Sequence, residues 1–320
     1  MIWRAALAAI ALAVAAPLAA EEAQSTLAGE DLRLATIAER LQAANAALCE
    51  EQMPLTGLVY HSADQYGSAA LETPPFANGA LAIAQVLPGS PAADAGLLAG
   101  DAITALNGQE VADLKPAEDA PLRDAFYELL ARQSANAPLV LTIQRGTATQ
   151  EVALAPASGC RALVEIITSS GIVGRSDGRV IQISYDFASR LDDDGLAAIF
   201  AHELAHVALR HRERLVAAGV RKGLLGEFGR NRRLNRQVEV EADLLSVHLL
   251  ANAGYDPAIA PTFWRSSRGR SAGGGLLRSG TYPSPAARAD MIEREISEFL
   301  AGRTGLSWPA HLLDLRDQPF

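Results

Sequence analysis

The sequence predicts an α+β fold in two parts: one mainly helical with a small sheet, the other a small β-barrel-like domain capped by helices. Residues 32–49, 196–210 and 234–253 carry apolar side chains at helical spacing. Between them, residues 54–157 contain short apolar runs separated by turns rich in Gly, Pro and Asn. A chain of 320 residues, 49% of them hydrophobic, is long enough for two packed cores.

We expect four segments along the chain. Residues 1–20 resemble an export signal, because Arg4 precedes the apolar run from Ala5 to Leu18 and small residues follow it. An uncleaved anchor is the alternative, although the run is short for a membrane span. Residues 21–52 form a helix that packs on the C-terminal domain. Residues 53–158 form the β-rich domain and residues 159–320 the helical one, in a protein that we expect to be exported and periplasmic.

The net charge of −9 argues against a nucleic-acid-binding protein, since a surface that tracks phosphates is basic. One segment departs from this trend, because Arg210 to Arg236 contains nine Lys or Arg residues against Glu213 and Glu227. It is either a solvated helix and loop or a peripheral contact with an anionic membrane.

Cys49 and Cys160 are the only cysteines of the chain. In an oxidising compartment we expect them to form a disulfide, which would make the residues between them a closed insert. Two unrelated buried thiols are the alternative.

The β-rich segment contains a specific motif. It runs from Val86 through Pro88-Gly89-Ser90-Pro91 to Gly100-Asp101 and ends in the hairpin signal Asn107-Gly108. This run closely resembles a bacterial PDZ domain over residues 54–157. The resemblance implies a groove that takes a peptide C-terminus as an added strand, with backbone amides receiving its carboxylate. The carboxylate loop would be Thr56, Gly57, Leu58 and Val59, beside a helix from Leu122 to Leu130; a PDZ-like domain that binds nothing is the alternative.

The helical segment 196–210 carries an HExxH pattern. His202 and His206 lie one turn apart on the same helix face, where both imidazoles can reach one metal ion, with Glu203 beside them. This arrangement is typical of a zinc hydrolase in which the glutamate is the general base. Such a site needs a third protein ligand.

The third ligand is predicted on the helix near residues 234–253. His211 misses the position used by one class of zinc site, so we interpret it as a helix-end or surface histidine. Glu239 and Glu241 point to nearly opposite faces, and only Glu239 shares its face with a second carboxylate, Asp243. We therefore predict one Zn²⁺ per chain, held by His202, His206 and Glu239, with Asp243 accepting a hydrogen bond from a ligand histidine. Glu241 is interpreted as an ordinary helix glutamate.

With these residues in place, the C-terminal half resembles the HtpX and CAAX-prenyl-protease family of zinc peptidases, gluzincins with HExxH followed by ExxxD. The resemblance covers residues 171–299 and includes Gly254-Tyr255-Asp256-Pro257 and the Tyr282-Pro283-Ser284-Pro285 segment leading to Arg288. It implies a zincin-like fold and peptide hydrolysis. The family has a histidine where this chain has Tyr282, so its role in transition-state stabilisation would pass to the Tyr282 hydroxyl, pass to Arg288, or be lost.

We therefore expect a periplasmic zinc endopeptidase that cleaves unfolded or misfolded proteins in envelope quality control, with residues 179–185 as the edge strand that holds the substrate. Residues 266–280 are expected to form a loop. The alternative is a PDZ-based binding or chaperone-like protein with a silent zinc site.

Overall fold

The computed structural model describes residues 26–66, 75–168, 174–176, 178–220, 229–275 and 283–320. The predicted export signal and Tyr282 lie outside these residues. In the described part of the chain, no helix combines the length and the apolar character needed to cross a membrane. The mixture of helices and sheets agrees with the predicted α+β class.

The described residues form two main apolar cores and a small third cluster of Ala63, Phe76 and Ala82. The larger core joins the N-terminal helix to the C-terminal half. Helix α1 (Leu27–Ala44) begins five residues earlier than the sequence predicts, because the Thr26 hydroxyl caps its first turn by accepting a hydrogen bond from the Gly29 N–H. Its buried Leu34 and Leu41 pack in this core. The described part of the C-terminal half contains eight α-helices: α4 (Tyr185–Ala188), α5 (Asp193–Ala208), α6 (His211–Ala217), α7 (Gly229–Asn252), α8 (Ile259–Arg265), α9 (Ser267–Gly275), α10 (Pro285–Glu295) and α11 (Ala310–Leu313).

Helix α9 corrects the prediction of a loop for residues 267–275, whereas residues 276–280 of the predicted loop lie outside the described residues. The Ser266 hydroxyl accepts a hydrogen bond from the Gly269 N–H at 3.0 Å and so caps the helix. The three consecutive glycines that suggested a loop lie at the end of α9, where helix propensity matters less.

A three-stranded sheet lies beside these helices, in the order β10–β11–β9. Its strands are β9 (Leu163–Ile167), β10 (Gly174–Ser176) and β11 (Val180–Ser184). Strand β11 pairs parallel to β9 and antiparallel to β10, so it is the central strand. The prediction that residues 179–185 form an edge strand is therefore wrong, because the short β10 folds back along β11 and becomes the edge next to α5.

The second apolar core belongs to the PDZ-like segment. The Asn107-Gly108 turn has positive φ at both residues, 48° and 77°, as the hairpin signal predicts. The main path of the sheet runs β2–β3–β4–β6–β7, and β5 pairs with β4. The elements are β2 (Leu58–Ser62), β3 (Leu81–Val86), α2 (Pro91–Asp94), β4 (Ala102–Leu106), β5 (Gln109–Glu110), α3 (Leu122–Ala131), β6 (Leu139–Arg145) and β7 (Ala148–Leu154).

A two-stranded ribbon connects the two cores. Strand β1 (Gln52–Leu55) pairs antiparallel with β8 (Ala157–Cys160), so the chain enters and leaves the PDZ-like segment side by side. The predicted disulfide between Cys49 and Cys160 is present at the base of this ribbon.

Candidate active site

Helix α5 places the HExxH residues on a rigid support. The Asp192 carboxylate caps the helix by accepting a hydrogen bond from the Gly195 N–H at 2.8 Å, and Asp193 and Asp194 add negative charge to its first turn. Most of the helix is buried in the larger core. Helix α7 packs against α5 and supplies the acidic residues that face the two histidines.

Three predicted ligand atoms converge between α5 and α7. His202 Nε2 and His206 Nε2 lie 3.2 Å apart. The Glu239 carboxylate completes the triangle, with one oxygen 3.4 Å from His202 Nε2 and the other 3.6 Å from His206 Nε2. The structure thus brings together all three residues that the sequence nominates as metal ligands.

The spacing of this triangle fits a tetrahedral zinc site. Bonds of roughly 2.0–2.1 Å at tetrahedral angles place neighbouring ligand atoms about 3.3–3.4 Å apart. Two imidazole nitrogens and one carboxylate are also a donor set that zinc hydrolases use, and three protein ligands leave one position for a water or a substrate. The residues present therefore suit Zn²⁺ in both chemistry and spacing.

Asp243 holds the first histidine from behind. Its Oδ1 lies 3.1 Å from His202 Nδ1, but the two groups are not aligned as a hydrogen bond, so the predicted hydrogen bond is present only as a close polar contact. Arg288 on α10 donates two hydrogen bonds of 2.6 Å to the same carboxylate and lies over the Trp264 ring at 3.5 Å. Arg288, only 1% exposed, is thus fixed on two sides, and its Nη1 has no hydrogen-bond partner within the described residues.

His211 contacts the second histidine. It lies at a helix end, as one of the two sequence interpretations has it, but the other interpretation, a surface histidine, is wrong. Arg210 has a left-handed backbone, φ 53°, which ends α5 and turns the chain so that α6 begins under the site. His211 is consequently 2% exposed rather than at the surface, with its Nδ1 2.8 Å from His206 Nδ1. Its Nε2 lies 3.1 Å from Glu241 Oε2, which also accepts a 2.7 Å hydrogen bond from Arg214.

The side chains of Glu241, His211 and His206 form a row, and this row determines which ring nitrogen of His206 carries the proton. The Glu241 carboxylate only accepts hydrogen bonds, since His211 and Arg214 hold its pKa at about 2 against the effect of burial. Burial lowers the pKa of His211, so its neutral ring donates from Nε2 to Glu241 and accepts at Nδ1 from His206. His206 therefore keeps an unprotonated Nε2 toward Glu239. The sequence signals that were missed are the histidine five residues after His206 and the glutamate two after Glu239.

Glu203 and Glu239 differ in their protonation. Burial raises the pKa of Glu203 to about 7, and the nearby charge of Glu239 adds to this effect. Burial also acts on Glu239, but the hydrogen bond with His202 and the charges of both histidines hold its pKa well below its usual range. One carboxylate is thus suited to bind a cation and the other to exchange a proton near neutral pH.

The edge strand β10 forms one wall beside Glu203. A Cβ atom added to Gly174 would lie 3.3 Å from Glu203 Oε1, so the strand backbone approaches the carboxylate closely. Tyr282, the nominated alternative donor, lies outside the described residues, so Arg288 is the nominated catalytic residue of α10 that can be located.

A second cluster of potential ligands does not share this spacing. His248 Nε2 and His311 Nε2 lie 2.9 and 2.8 Å from the same oxygen, Glu295 Oε1. These are hydrogen-bond distances, shorter than the separations in the first site. The Ser307 hydroxyl lies 2.7 Å from His248 Nδ1, so this cluster fastens the C-terminal helix α11 to α7 and α10.

The predicted carboxylate loop of the PDZ-like segment connects β1 to β2. Gly57 has a left-handed backbone, φ 74°, and an added Cβ would lie 2.0 Å from Ser90 Cβ, so only glycine fits there. Thr56 is buried, and Leu58 and Val59 begin β2. This loop and helix α3 line a common cavity, as the predicted groove requires.

Two protein families match segments of the chain. Residues 170–225 match the model of peptidase family M48, and residues 83–145 match that of the PDZ domain. The mitochondrial metalloendopeptidase OMA1 of Schizosaccharomyces pombe is 31% identical over 127 residues, which cover 33% of this chain and 37% of the relative. The Arabidopsis thaliana protein of the same name is 32% identical over 145 residues, 36% of this chain and 29% of the relative.

The chain therefore spans only about a third of the length of these curated relatives. Among solved structures, it is similar to the HtrA3 PDZ domain bound to a phage-derived ligand, with 19% identity, coverage of 33% of this chain and 88% of that chain, and a TM-score of 0.25. It is also similar to the HtrA-type protease AlgW with a decapeptide, with 19% identity, coverage of 33% and 30%, and a TM-score of 0.25. Separate segments of the chain are thus similar to peptidase family M48 and to the PDZ domain.

Proposed function

We propose that this protein is a zinc-dependent endopeptidase that cleaves unfolded or misfolded polypeptides, with a PDZ domain that recognises a substrate or a partner. The observation that carries the proposal is the triangle of His202, His206 and Glu239, whose spacing and donor types suit zinc. The match to peptidase family M48 covers the helix with both histidines and supports the same chemistry. Within this family we place the chain near the HtpX and CAAX-prenyl-protease branch, because Asp243 follows Glu239 by four residues.

The chain's own residues would perform the proton transfers. When bound by His202, His206 and Glu239, zinc supplies a Lewis acid that polarises the peptide carbonyl and acidifies water. Glu203 accepts the proton of the attacking water and returns it to the leaving amine. Asp243 and His211 keep the ligand histidines in orientation and tautomer.

An extended polypeptide is the substrate form that suits this site. Strand β10 has one unpaired edge within its sheet and lies beside α5 and Glu203. A substrate segment that adds to this edge as a strand would bring its backbone past the catalytic glutamate. Folded proteins do not offer such segments, so unfolded chains are the proposed substrates.

We also propose that the protein acts after export, in the periplasm, with residues 1–20 removed. The proposal rests on the apolar N-terminal run and on the disulfide between Cys49 and Cys160, which suits an oxidising compartment. The peripheral contact with anionic lipid stays a proposal, which the exposed side chains of Arg212, Arg232 and Arg233 permit. Two other arginines of the segment have partners within the chain. Arg214 there is buried against Glu241, and Arg210 pairs with Glu50.

A single experiment tests the function. Mature protein loaded with zinc is incubated with unfolded casein, with and without a chelator, and the metal content is measured in parallel. We expect about one zinc per chain and cleavage that stops when the metal is removed. Stoichiometric zinc without cleavage would favour the PDZ-based binding or chaperone-like alternative, and absence of zinc binding would refute the proposed site.

A further inference from the structure

Helix α1 lies between the PDZ domain and the peptidase core. Leu34 and Leu41 on one side are buried in the core that includes α5, the helix of the HExxH residues. On the other side, Ala35 and Glu39 line the cavity that the PDZ residues form. One helix therefore contacts both the predicted peptide groove and the support of the catalytic site.

The predicted peptide groove is already filled. Strand β2 is an edge strand of its sheet, and α3 forms the opposite wall, so a peptide strand would add between them. Residues of α1 and β9 also line this space and leave a cavity of about 80 Å³. Ligand pockets generally have volumes of roughly 300–1,000 Å³, so a peptide strand does not fit while α1 and β9 stay in place.

The carboxylate of Glu39 faces the loop that would bind a peptide C-terminus. Glu39 and Gly57 line the same cavity, and the Gly57 N–H near the Glu39 carboxylate partly offsets the rise in pKa that burial imposes on this carboxylate. In a PDZ domain, backbone N–H groups of this loop bind the terminal carboxylate of the peptide. Glu39 therefore supplies from within the chain the same chemical group that a ligand would bring.

Helix α1 and strand β9 cover the groove, and polar contacts link this cover to the groove walls β2 and α3. Asp31 on α1 accepts a hydrogen bond of 3.0 Å from the Ile166 N–H of β9 and lies 3.8 Å from His61 Nε2 of β2. Arg123 on α3 forms an ion pair with Glu165 of β9. These contacts join β2 and α3, the two walls of the groove, to α1 and β9.

We propose that the PDZ groove is closed in cis by Glu39 and helix α1, and that a polypeptide with a free C-terminal carboxylate and an apolar last residue opens it by displacing them. The free carboxylate is required because it replaces that of Glu39 at Gly57. The apolar side chain is required because Leu58, Leu87 and Leu130 line the cavity. Since α1 also packs on α5, opening alters the support of the catalytic site, and this last step alone rests on the proposed function.

Peptide binding tests closure without any need for catalysis. The full-length chain with Glu203→Gln, which leaves the probe intact, is titrated with a fluorescent ten-residue peptide ending in Leu, as the free acid and as the amide. Glu39→Ala removes the internal competitor and is expected to raise the affinity for the free acid about tenfold or more, because it increases the fraction of open protein. The amide should bind weakly to both proteins.

Two further variants sharpen this result. Glu39→Gln keeps the size of the side chain but removes its charge, and is expected to raise the affinity in the same direction. Glu110→Ala is the matched control for Glu39→Ala. It replaces an exposed glutamate on β5, so the affinity for the peptide should stay unchanged. Equal affinities of wild-type and both Glu39 variants for the free acid, or equal binding of acid and amide, would overturn the proposal.

Casein cleavage by the chain with native Glu203 tests the coupling to α5. The free-acid peptide is expected to change the rate of the wild-type protein several-fold, whereas Glu39→Ala should have an altered rate without peptide and respond less to it. Cleavage that is identical in all these conditions would refute the coupling. Absence of cleavage in every protein would refute the proposed peptidase function and leave the binding result standing.

Discussion

His211 Nδ1 lies 2.8 Å from His206 Nδ1, so a ligand histidine of the candidate metal site rests on another histidine rather than directly on a carboxylate. Glu241, on the far side of His211, is the acceptor that orders the protons along this row. His202, by contrast, has its carboxylate, Asp243, immediately behind it at 3.1 Å. The two ligand histidines are thus oriented by different means.

Removing the His211 ring should weaken metal binding. His211→Ala leaves His206 without its partner at Nδ1, and loss of such a partner typically lowers metal affinity about 10–100-fold. Zinc affinity is measured by competition with a chromophoric chelator. His311→Ala, which removes a histidine from the α11 cluster instead, serves as the control and should bind zinc as the wild-type protein does. Equal zinc affinity in both variants would contradict the role of His211.

Replacing the general base should separate binding from catalysis. Glu203→Gln keeps the size of the side chain and leaves the three ligands in place, so zinc content should stay at the wild-type level. Cleavage of casein should fall by about 10²–10⁴-fold, because the amide does not accept the water proton. Glu213→Gln, at an exposed position on α6, should retain full activity. Near wild-type cleavage by Glu203→Gln would rule out this base.

The disulfide should contribute strongly to stability. It closes a chain segment with a sequence separation of 111 residues. A loop of this length corresponds to about 4–5 kcal/mol of lost entropy in the unfolded chain. The double variant Cys49→Ala and Cys160→Ala should therefore unfold at clearly lower urea concentration than the oxidised protein. Adding a reductant should shift the wild-type protein in the same direction and leave the variant unchanged. Coincident unfolding curves would show that the bridge contributes little.

Asp31 should make stability depend on pH. Burial raises the pKa of Asp31 from 3.8 to about 6, although the Ile166 N–H opposes this. Between these two values the folded protein binds more protons than the unfolded chain, so stability falls as pH rises through this window. Asp31→Asn carries no such penalty and should gain, relative to wild type, up to about 3 kcal/mol more at pH 7.5 than at pH 4.

Urea unfolding of both proteins at the two pH values measures this difference. The pKa of His61, which burial lowers to about 4, also titrates in this range, but His61 is present in both proteins and largely cancels in the comparison. A variant whose advantage is the same at both pH values would contradict the assignment to Asp31.

Local patterns predicted the elements that depend on neighbouring residues. The HExxH spacing places both histidines on one face of α5. Helix geometry separates Glu239 from Glu241, and Asp243 on the face of Glu239 decides between them. The hairpin at Asn107-Gly108 likewise depends on two residues that tolerate positive φ. In each case, the residues that decide the structure lie within a few positions of each other.

Features that depend on where the chain turns, or on contacts between distant segments, were not predicted. His211 reaches His206 because Arg210 adopts a left-handed backbone, which its side chain does not signal. Strand β11 is central rather than at the edge because the short β10 pairs with it, and three residues carry little periodicity. The cover over the PDZ groove joins Asp31 to Ile166, 135 positions away in sequence, so it depends on how separate elements assemble.

The ribbon of β1 and β8 makes the PDZ domain a side branch of the chain. The Cα atoms of Cys49 and Cys160 lie 5.4 Å apart, so everything between them departs from and returns to nearly one point. The larger core consists of residues from α1 and the C-terminal half. These residues pack against each other directly, without residues of the PDZ-like segment between them. A short turn across this gap is therefore enough to connect α1 to the C-terminal half without the residues between the two cysteines.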